Sequence, residues 1–252
     1  MSGLSGFHAL VTGGGRGIGR AIAAALTAAG AEVTIIGRDL TALDQVVAAG
    51  QAHAAFAADV SDESSLRSAI ESATRHKPID ILVANAGAAE SAPFGKSDAA
   101  LFRRMIDVNL MGVVVAAQAV LPGMVERRHG RIVAIASTAG LKGYAYVSAY
   151  AAAKHAVVGL VRSLALEVAT KGVTVNAVCP GFTDTDLVAE SIDTIMAKTG
   201  RNRDDALAEL AKHNPQGRLV APQEVADAVL WLCGAGASAI TGQAIAVAGG
   251  EV

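Results

Sequence analysis

The sequence holds little cysteine, few aromatic residues and little charge. Its two cysteines, Cys179 and Cys233, are too few for a disulfide framework and match no zinc-ligand spacing. They read as buried thiols of a reducing compartment, which implies a cytoplasmic protein. The six histidines form no HxxxH or HxxE pair, so no metal site is expected. Lys and Arg number 21 against 23 Asp and Glu. That balance lacks the basic footprint of a nucleic-acid binder. The short pairs Arg103-Arg104 and Arg127-Arg128 fall in helical stretches and read as solvated faces. No stretch reaches the roughly 18 uncharged apolar residues of a membrane span, and the opening MSGLSGFHALVTGG lacks the basic start of a signal peptide. Neither a membrane nor a nucleic-acid partner is expected, and a small-molecule partner is left.

What is present is apolar and ordered. Hydrophobic residues make up 52% of the 252 positions and charged residues 17%. That suits a sheet covered on both faces. Short Ala/Val/Ile runs at 7–12, 31–37, 52–59, 79–87, 130–137, 173–181 and 244–250 read as strands. Helical patterns at 16–30, 40–50, 62–76, 99–127, 148–170 and 222–234 alternate with them. The long helix 99–127 is expected to bend or end near Pro122. This alternation predicts an α/β fold, a Rossmann-type doubly wound parallel sheet of about seven strands flanked by helices. No composition break marks a second domain, so 1–252 reads as one. Residues 182–221 carry no strand signal. Leu187, Val188, Ile192, Ile195 and Met196 recur there at helical spacing, which suggests a helical lid.

VTGGGRGIGRAI closes the first strand and opens the first helix. Gly13, Gly17 and Gly19 stand where a backbone must turn with positive φ or let a pyrophosphate approach, and the helix start offers free N–H groups to that anion. The spacing departs from the usual G-x-G-x-x-G. The second strand ends in Gly37-Arg38-Asp39. An acidic residue at that tip would hold a ribose 2′-hydroxyl; Arg38 instead suits a 2′-phosphate, with Arg16 a second cation. NADP(H) is therefore favoured over NAD(H). Asp39 reads as the cap of the following helix.

In an open α/β sheet, ligands bind beyond the carboxyl ends of the strands. Ser137 ends one strand and Asn85-Ala86-Gly87 another. YAAAK, 150–154, puts Tyr150 and Lys154 one helical turn apart on one face, with alanines leaving the space open. Asn109 interrupts the apolar stretch MIDVNLMGVVV; a buried Asn needs partners, for a structural or a functional reason.

Together TGGGRGIG (12–19), Asp59-Val60, NAG (85–87), Asn109, Ser137, YAAAK and PGFTDTDL (180–187) occur in the order of the short-chain dehydrogenase/reductases, which the chain resembles along essentially its whole length. The resemblance implies an alcohol–ketone oxidoreductase. Tyr150 would be the general acid/base, with Lys154 binding the nicotinamide ribose and lowering the Tyr150 pKa. Ser137 would hold the substrate oxygen and Asn109 a proton-relaying water. Gly13, Gly15, Arg16, Gly17, Ile18 and Gly19 would hold the pyrophosphate. Asp59 and Val60 would flank the adenine. Asn85, Ala86, Gly87, Pro180 and Gly181 would support the cofactor, and Thr183 would contact the nicotinamide amide region. Tyr144 and Tyr146 are candidate pocket walls.

The lid is similar in length and placement to those of 3-hydroxybutyrate dehydrogenases and acyl or polyketide ketoreductases. Its Leu187 and Val188 would line an apolar or cyclic substrate, or else simply pack the lid. A homo-oligomer, tetramer or dimer, is implied. The alternative is a non-catalytic dinucleotide-binding redox sensor or scaffold, which loss of Ser, Tyr or Lys would mark; all three are present.

Overall fold

The structure is a computed structural model that describes residues 3–252, apart from the side chains of Leu187, Glu190, Ser191, Thr194, Ile195 and Lys198. Seven parallel strands form one sheet in the order β3-β2-β1-β4-β5-β6-β7. They are β1 (His8–Thr12), β2 (Glu32–Gly37), β3 (Ala54–Ala57), β4 (Ile81–Ala84), β5 (Gly130–Ile135), β6 (Val173–Pro180) and β7 (Ala244–Val247). The order reverses between β1 and β4, so their carboxyl ends diverge into a crevice.

Strand side chains alternate between two cores. Val11 and Val83 face α1 (Gly17–Ala28), α2 (Leu40–Ala48) and α9 (Pro222–Cys233). Leu10 and Leu82 face α3 (Glu63–His76), α5 (Gly112–Glu126) and α6 (Ser148–Val168). Both sheet faces are dry, which is why the strands read as unbroken apolar runs. Asp39 caps α2, accepting from the Ala42 N–H, as its position predicted.

The helix expected over 99–127 differs. It is α4 (Ala99–Ile106), a π-helical turn Asp107–Met111, and then α5, which runs through Pro122 to Glu126. Proline deprives the carbonyl four residues back of its partner, here Gln118, an exposed position where water can take the bond. The interruption falls instead where one extra residue per turn swings Asn109 inward. The run Ala99–Glu126 is long and apolar enough to cross a membrane by length and composition. Here Val113, Val120 and Met124 on it are buried against the sheet core.

The excursion after β6 forms α7 (Asp186–Thr199) and α8 (Arg203–Ala211). Gly200, in the left-handed region at φ 70°, stops α7, and Asn202 caps α8. A single parallel bridge, Thr183 to Val220, closes the base of the excursion.

Candidate active site

The glycine turn is shaped by close backbone contacts. A Cβ on Gly19 would lie 2.1 Å from the Gly13 carbonyl oxygen, and one on Gly13 would lie 2.9 Å from both Ala86 Cα and Asn85 Nδ2. Only hydrogen fits there. Asn85 stitches β4 to this turn: its Nδ2 donates to Thr12 O at 3.0 Å and Gly13 O at 3.2 Å. Thr12 Oγ1 in turn accepts from the N–H groups of Asn85 and Ala86. Thr12 lies within the quoted motif but was not singled out; a polar residue closing an apolar strand is the signal that would have found it.

The first turn of α1 carries no acidic residue, and Arg16 at its N-cap makes no side-chain capping bond. Its amino end therefore keeps N–H groups for an anion. Ile18 is half-buried there, and Gly15 leaves Leu43 Cδ2 3.4 Å from a built Cβ. Arg16 also lies 3.8 Å from Asp186 at the start of the lid.

Arg38 is exposed at the tip of β2. Asp59 accepts from the Ser61 hydroxyl and N–H, and these bonds, with Arg38 nearby, hold its carboxyl below the usual range. Val60 is buried against Gly112 of α5.

Across the crevice, the 3-10 turn after β5 and the start of α6 bring Ser137, Tyr150 and Lys154 together. Ser137 Oγ accepts from the Ala139 N–H at 3.1 Å and stands near enough to the Tyr150 phenol to favour its charged form. Lys154 Nζ lies 5.7 Å from the centroid of the Tyr150 ring and donates to Ile135 O at 2.8 Å. Burial pushes the Tyr150 phenol above its ordinary value, against the pull of Ser137. It also pushes the Lys154 ammonium down, to about 8. Desolvation, which burdens both charged forms, is the largest cause of each shift, and Lys154 is not among the groups that shift Tyr150 in this structure.

Asn109 is fully buried. Its Nδ2 donates to Ala88 O at 2.9 Å and Met105 O at 3.0 Å, and its Oδ1 accepts from Ala88 N at 3.3 Å. A Cβ on Gly87 would sit 2.8 Å from that Oδ1 and 3.5 Å from Lys154 Nζ, so both groups border the same backbone.

Pro180 ends β6, and the buried Thr183 hydroxyl donates to Gly181 O at 3.0 Å. Tyr144 approaches from the loop after β5, but its hydroxyl is taken by Thr138 and Glu251, so only its ring is offered to a ligand. Tyr146 is 66% exposed and sits at φ 68°, in the left-handed region that non-glycine residues avoid. Val188 is buried with Ile192, Ala206 and Leu210 in a cluster where α7 and α8 close their apolar faces on each other, the packing alternative of its two readings. The Leu187 side chain lies outside the described residues. Arg201 and Arg203 pair with Glu209 and Asp193 within the lid.

This geometry is an open α/β sheet with a dinucleotide crevice and a Ser–Tyr–Lys group at its rim. The family model described as short chain dehydrogenase matches residues 7–195. A putative ketoacyl reductase of Streptomyces coelicolor is 37% identical over 249 residues, covering 96% of this chain and 95% of its own. The cis-4-hydroxycyclohexanecarboxylate dehydrogenase of Sinomonas cyclohexanicum is 40% identical over 248 residues, covering 96% of this chain and 95% of its own. Among solved structures, actinorhodin polyketide ketoreductase with NADPH superposes with a TM-score of 0.92 at 37% identity, covering 97% of each chain. The chain belongs to the short-chain dehydrogenase/reductase family. It is an oxidoreductase that interconverts an alcohol and a ketone.

Proposed function

We propose that the chain is an NADP(H)-dependent ketoreductase in which Tyr150 gives the proton to the carbonyl oxygen. The observation that carries this is the grouping of Ser137, Tyr150 and Lys154 at the rim of the sheet, with Lys154 Nζ 5.7 Å from the Tyr150 ring centroid and held by the Ile135 carbonyl at 2.8 Å. The protonated phenol is the form that donates, and a phenol at or above its ordinary value near 10 is protonated at neutral pH.

The uncapped amino end of α1 and the tight glycine turn suit a pyrophosphate. Gly13, Gly15, Arg16, Gly17, Ile18 and Gly19 would hold it. Asp59 and Val60 would border the adenine, and Asn85, Ala86, Gly87, Pro180, Gly181 and Thr183 the nicotinamide half. Arg38 would meet the 2′-phosphate with its planar fork of donors. When bound, the nicotinamide supplies the hydride. Ser137 fixes the carbonyl oxygen by a hydrogen bond and Tyr150 protonates it. The Tyr150 phenolate would then take a proton from the Lys154 ammonium, and the Lys154 amine would regain one from solvent through a water held by Asn109, which borders Gly87 beside it. General acid help of this kind is worth roughly 10²–10⁴-fold.

The similarity to ketoacyl and polyketide ketoreductases and to a cyclic alcohol dehydrogenase supports a 3-oxoacyl or cyclic ketone as substrate. A homo-oligomer built on α4–α6 is supported by Leu166 at 82% and Met111 at 41% exposure, apolar groups that a partner copy would cover. The two buried free thiols suit a cytoplasmic setting.

The deciding experiment follows NADPH oxidation with a panel of 3-oxoacyl thioesters and cyclic ketones, for wild type and Tyr150→Phe. Turnover by wild type and a loss of about 10³-fold in the variant are expected from the stated acid role. Equal rates in both would overturn it.

A further inference from the structure

Glu251, four residues past the end of β7, has no part in the chemistry above, yet among the described ion pairs its carboxylate is the least exposed. Its side chain is 1% exposed. Tyr144 Oη lies 2.5 Å from its Oε1 and 2.7 Å from Thr138 Oγ1. A carboxylate only accepts, so the phenol's single hydrogen goes to Glu251, and the phenol oxygen is left to accept from Thr138. Lys142 Nζ stands 3.2 Å from both Oε1 and the Glu251 backbone oxygen, and His213 Nδ1 stands 3.9 Å from Oε1. Oε2 is buried without a hydrogen-bond partner, and a Cβ on Gly181 would be 3.1 Å from it.

Three segments distant in sequence therefore meet on one side chain. Lys142 and Tyr144 belong to the loop after β5, which begins at Ser137. Gly181 and Phe182 open the lid, and His213 closes it. The Tyr144, Phe182 and His213 rings form a triangle with centroids 6.1, 5.9 and 5.4 Å apart. Beneath them, Gly249 and Gly250 turn at φ 62° and 95°. A Cβ on Gly249 would fall 1.9 Å from Asn214 Oδ1, so the lid's exit rests directly on this turn.

We propose that Glu251 is a positioning residue: it fixes the Tyr144 ring and both ends of the lid as one wall of the substrate cleft. The proposal rests on the reading of Ser137 and Tyr150 as the reacting centre. Thr138, which shares Tyr144's hydroxyl, follows Ser137 directly, and Tyr144 lies close enough to Tyr150 to feel its charge. Loss of the carboxylate leaves the Tyr144 hydroxyl and the Lys142 ammonium without their shared acceptor. The wall then moves where the ketone sits, while the glycine turn and Arg38, on the far side of the crevice, are untouched.

The test compares Glu251→Ala, Glu251→Gln, Tyr144→Phe and the double variant Glu251→Ala/Tyr144→Phe. Glu251→Ala is expected to raise KM for the ketone about 10-fold or more, with kcat within about 3-fold and NADPH affinity, read by fluorescence, unchanged. Glu251→Gln recovers part of the KM loss, since its amide oxygen still accepts from Tyr144. The double variant is no worse than the poorer single, because both act on one contact. A second readout needs no turnover: trypsin cleavage after Arg201 and Arg203 in the lid, at a temperature where every variant is folded, speeds up several-fold in Glu251→Ala. Wild-type KM with wild-type cleavage, or additive KM effects of the two substitutions, overturns the proposal. If wild type reduces no ketone, the functional reading fails by itself, and the cleavage rates still decide the role of Glu251. If Glu251→Ala does not fold, Glu251→Gln and Tyr144→Phe carry both readouts.

Discussion

Lys154 Nζ donates to the carbonyl oxygen of Ile135 at 2.8 Å, inside a site where burial lowers the ammonium to about 8. The folded value lies below the ordinary 10.5 of the unfolded chain. Between about 8 and 10.5 the unfolded state binds more protons, so the Lys154 contribution to stability rises with pH through that window and is lost as pH falls through about 8. A depression of this size corresponds to a cost on the order of 3 kcal/mol for burying the charge at neutral pH. Lys154→Met removes that cost at every pH. The difference in unfolding free energy, Lys154→Met minus wild type, is expected to fall by that order between pH 7.5 and 10.5, measured by denaturant melts. A difference that does not change with pH would remove the buried-charge account.

The glycine turn makes a contrast between two neighbouring positions. At Gly19 an added methyl meets the Gly13 carbonyl oxygen at 2.1 Å, a backbone atom that has nowhere to go. At Gly15 it meets the flexible end of Leu43 at 3.4 Å. Gly19→Ala is expected to cost about 3 kcal/mol or more and to abolish dinucleotide binding. Gly15→Ala is expected to melt within a few degrees of wild type. Thermal melts and NADPH fluorescence titration check both; equal effects would contradict the packing argument.

On the proposed reading, Arg38 would set the choice between the two nicotinamide dinucleotides. Replacing it with Asp removes charge-assisted bonds worth roughly 1.5–3 kcal/mol and sets a like charge against the phosphate. Arg38→Asp is expected to lower kcat/KM for NADPH about 100-fold relative to NADH. An unchanged ratio of the two specificity constants would rule the assignment out.

Cys179 and Cys233 are buried, and their thiols are pushed up by desolvation to about 11 and about 12. The attacking species in disulfide exchange is the thiolate. At pH 8 the native protein is expected to release no thionitrobenzoate from Ellman's reagent on the minute scale, and two equivalents per chain once denatured. Fast labelling of either thiol in the native protein would show that its site opens.

The parallel sheet, its seven strands and the cap at Asp39 were legible from local pattern. Strands covered on both faces leave unbroken Val/Ile/Ala runs, and an aspartate just before a helical period competes for the first free N–H groups. Tyr150 and Lys154 were legible because the pitch of one helix sets their relation. The π-helical turn was not. A single inserted residue leaves composition and periodicity almost unchanged, and its sign is a buried Asn109 whose partners, Ala88 and Met105, the sequence does not announce. Pro122 misled for the complementary reason: a lost hydrogen bond on an exposed helix face is taken up by water.

The sequence alone therefore determined the sheet, the glycine turn and which residues stand at the strand ends, because each depends on neighbours within one element. The tertiary structure decided which way charge is tuned and what the lid and the loop after β5 pack against. Burial from all sides raises the Tyr150 phenol and lowers the Lys154 amine, α8 turns Val188 inward, and Glu251 reaches Tyr144 from 107 positions away. Desolvation and contacts of that kind are sums over the whole folded chain, and no local stretch contains them.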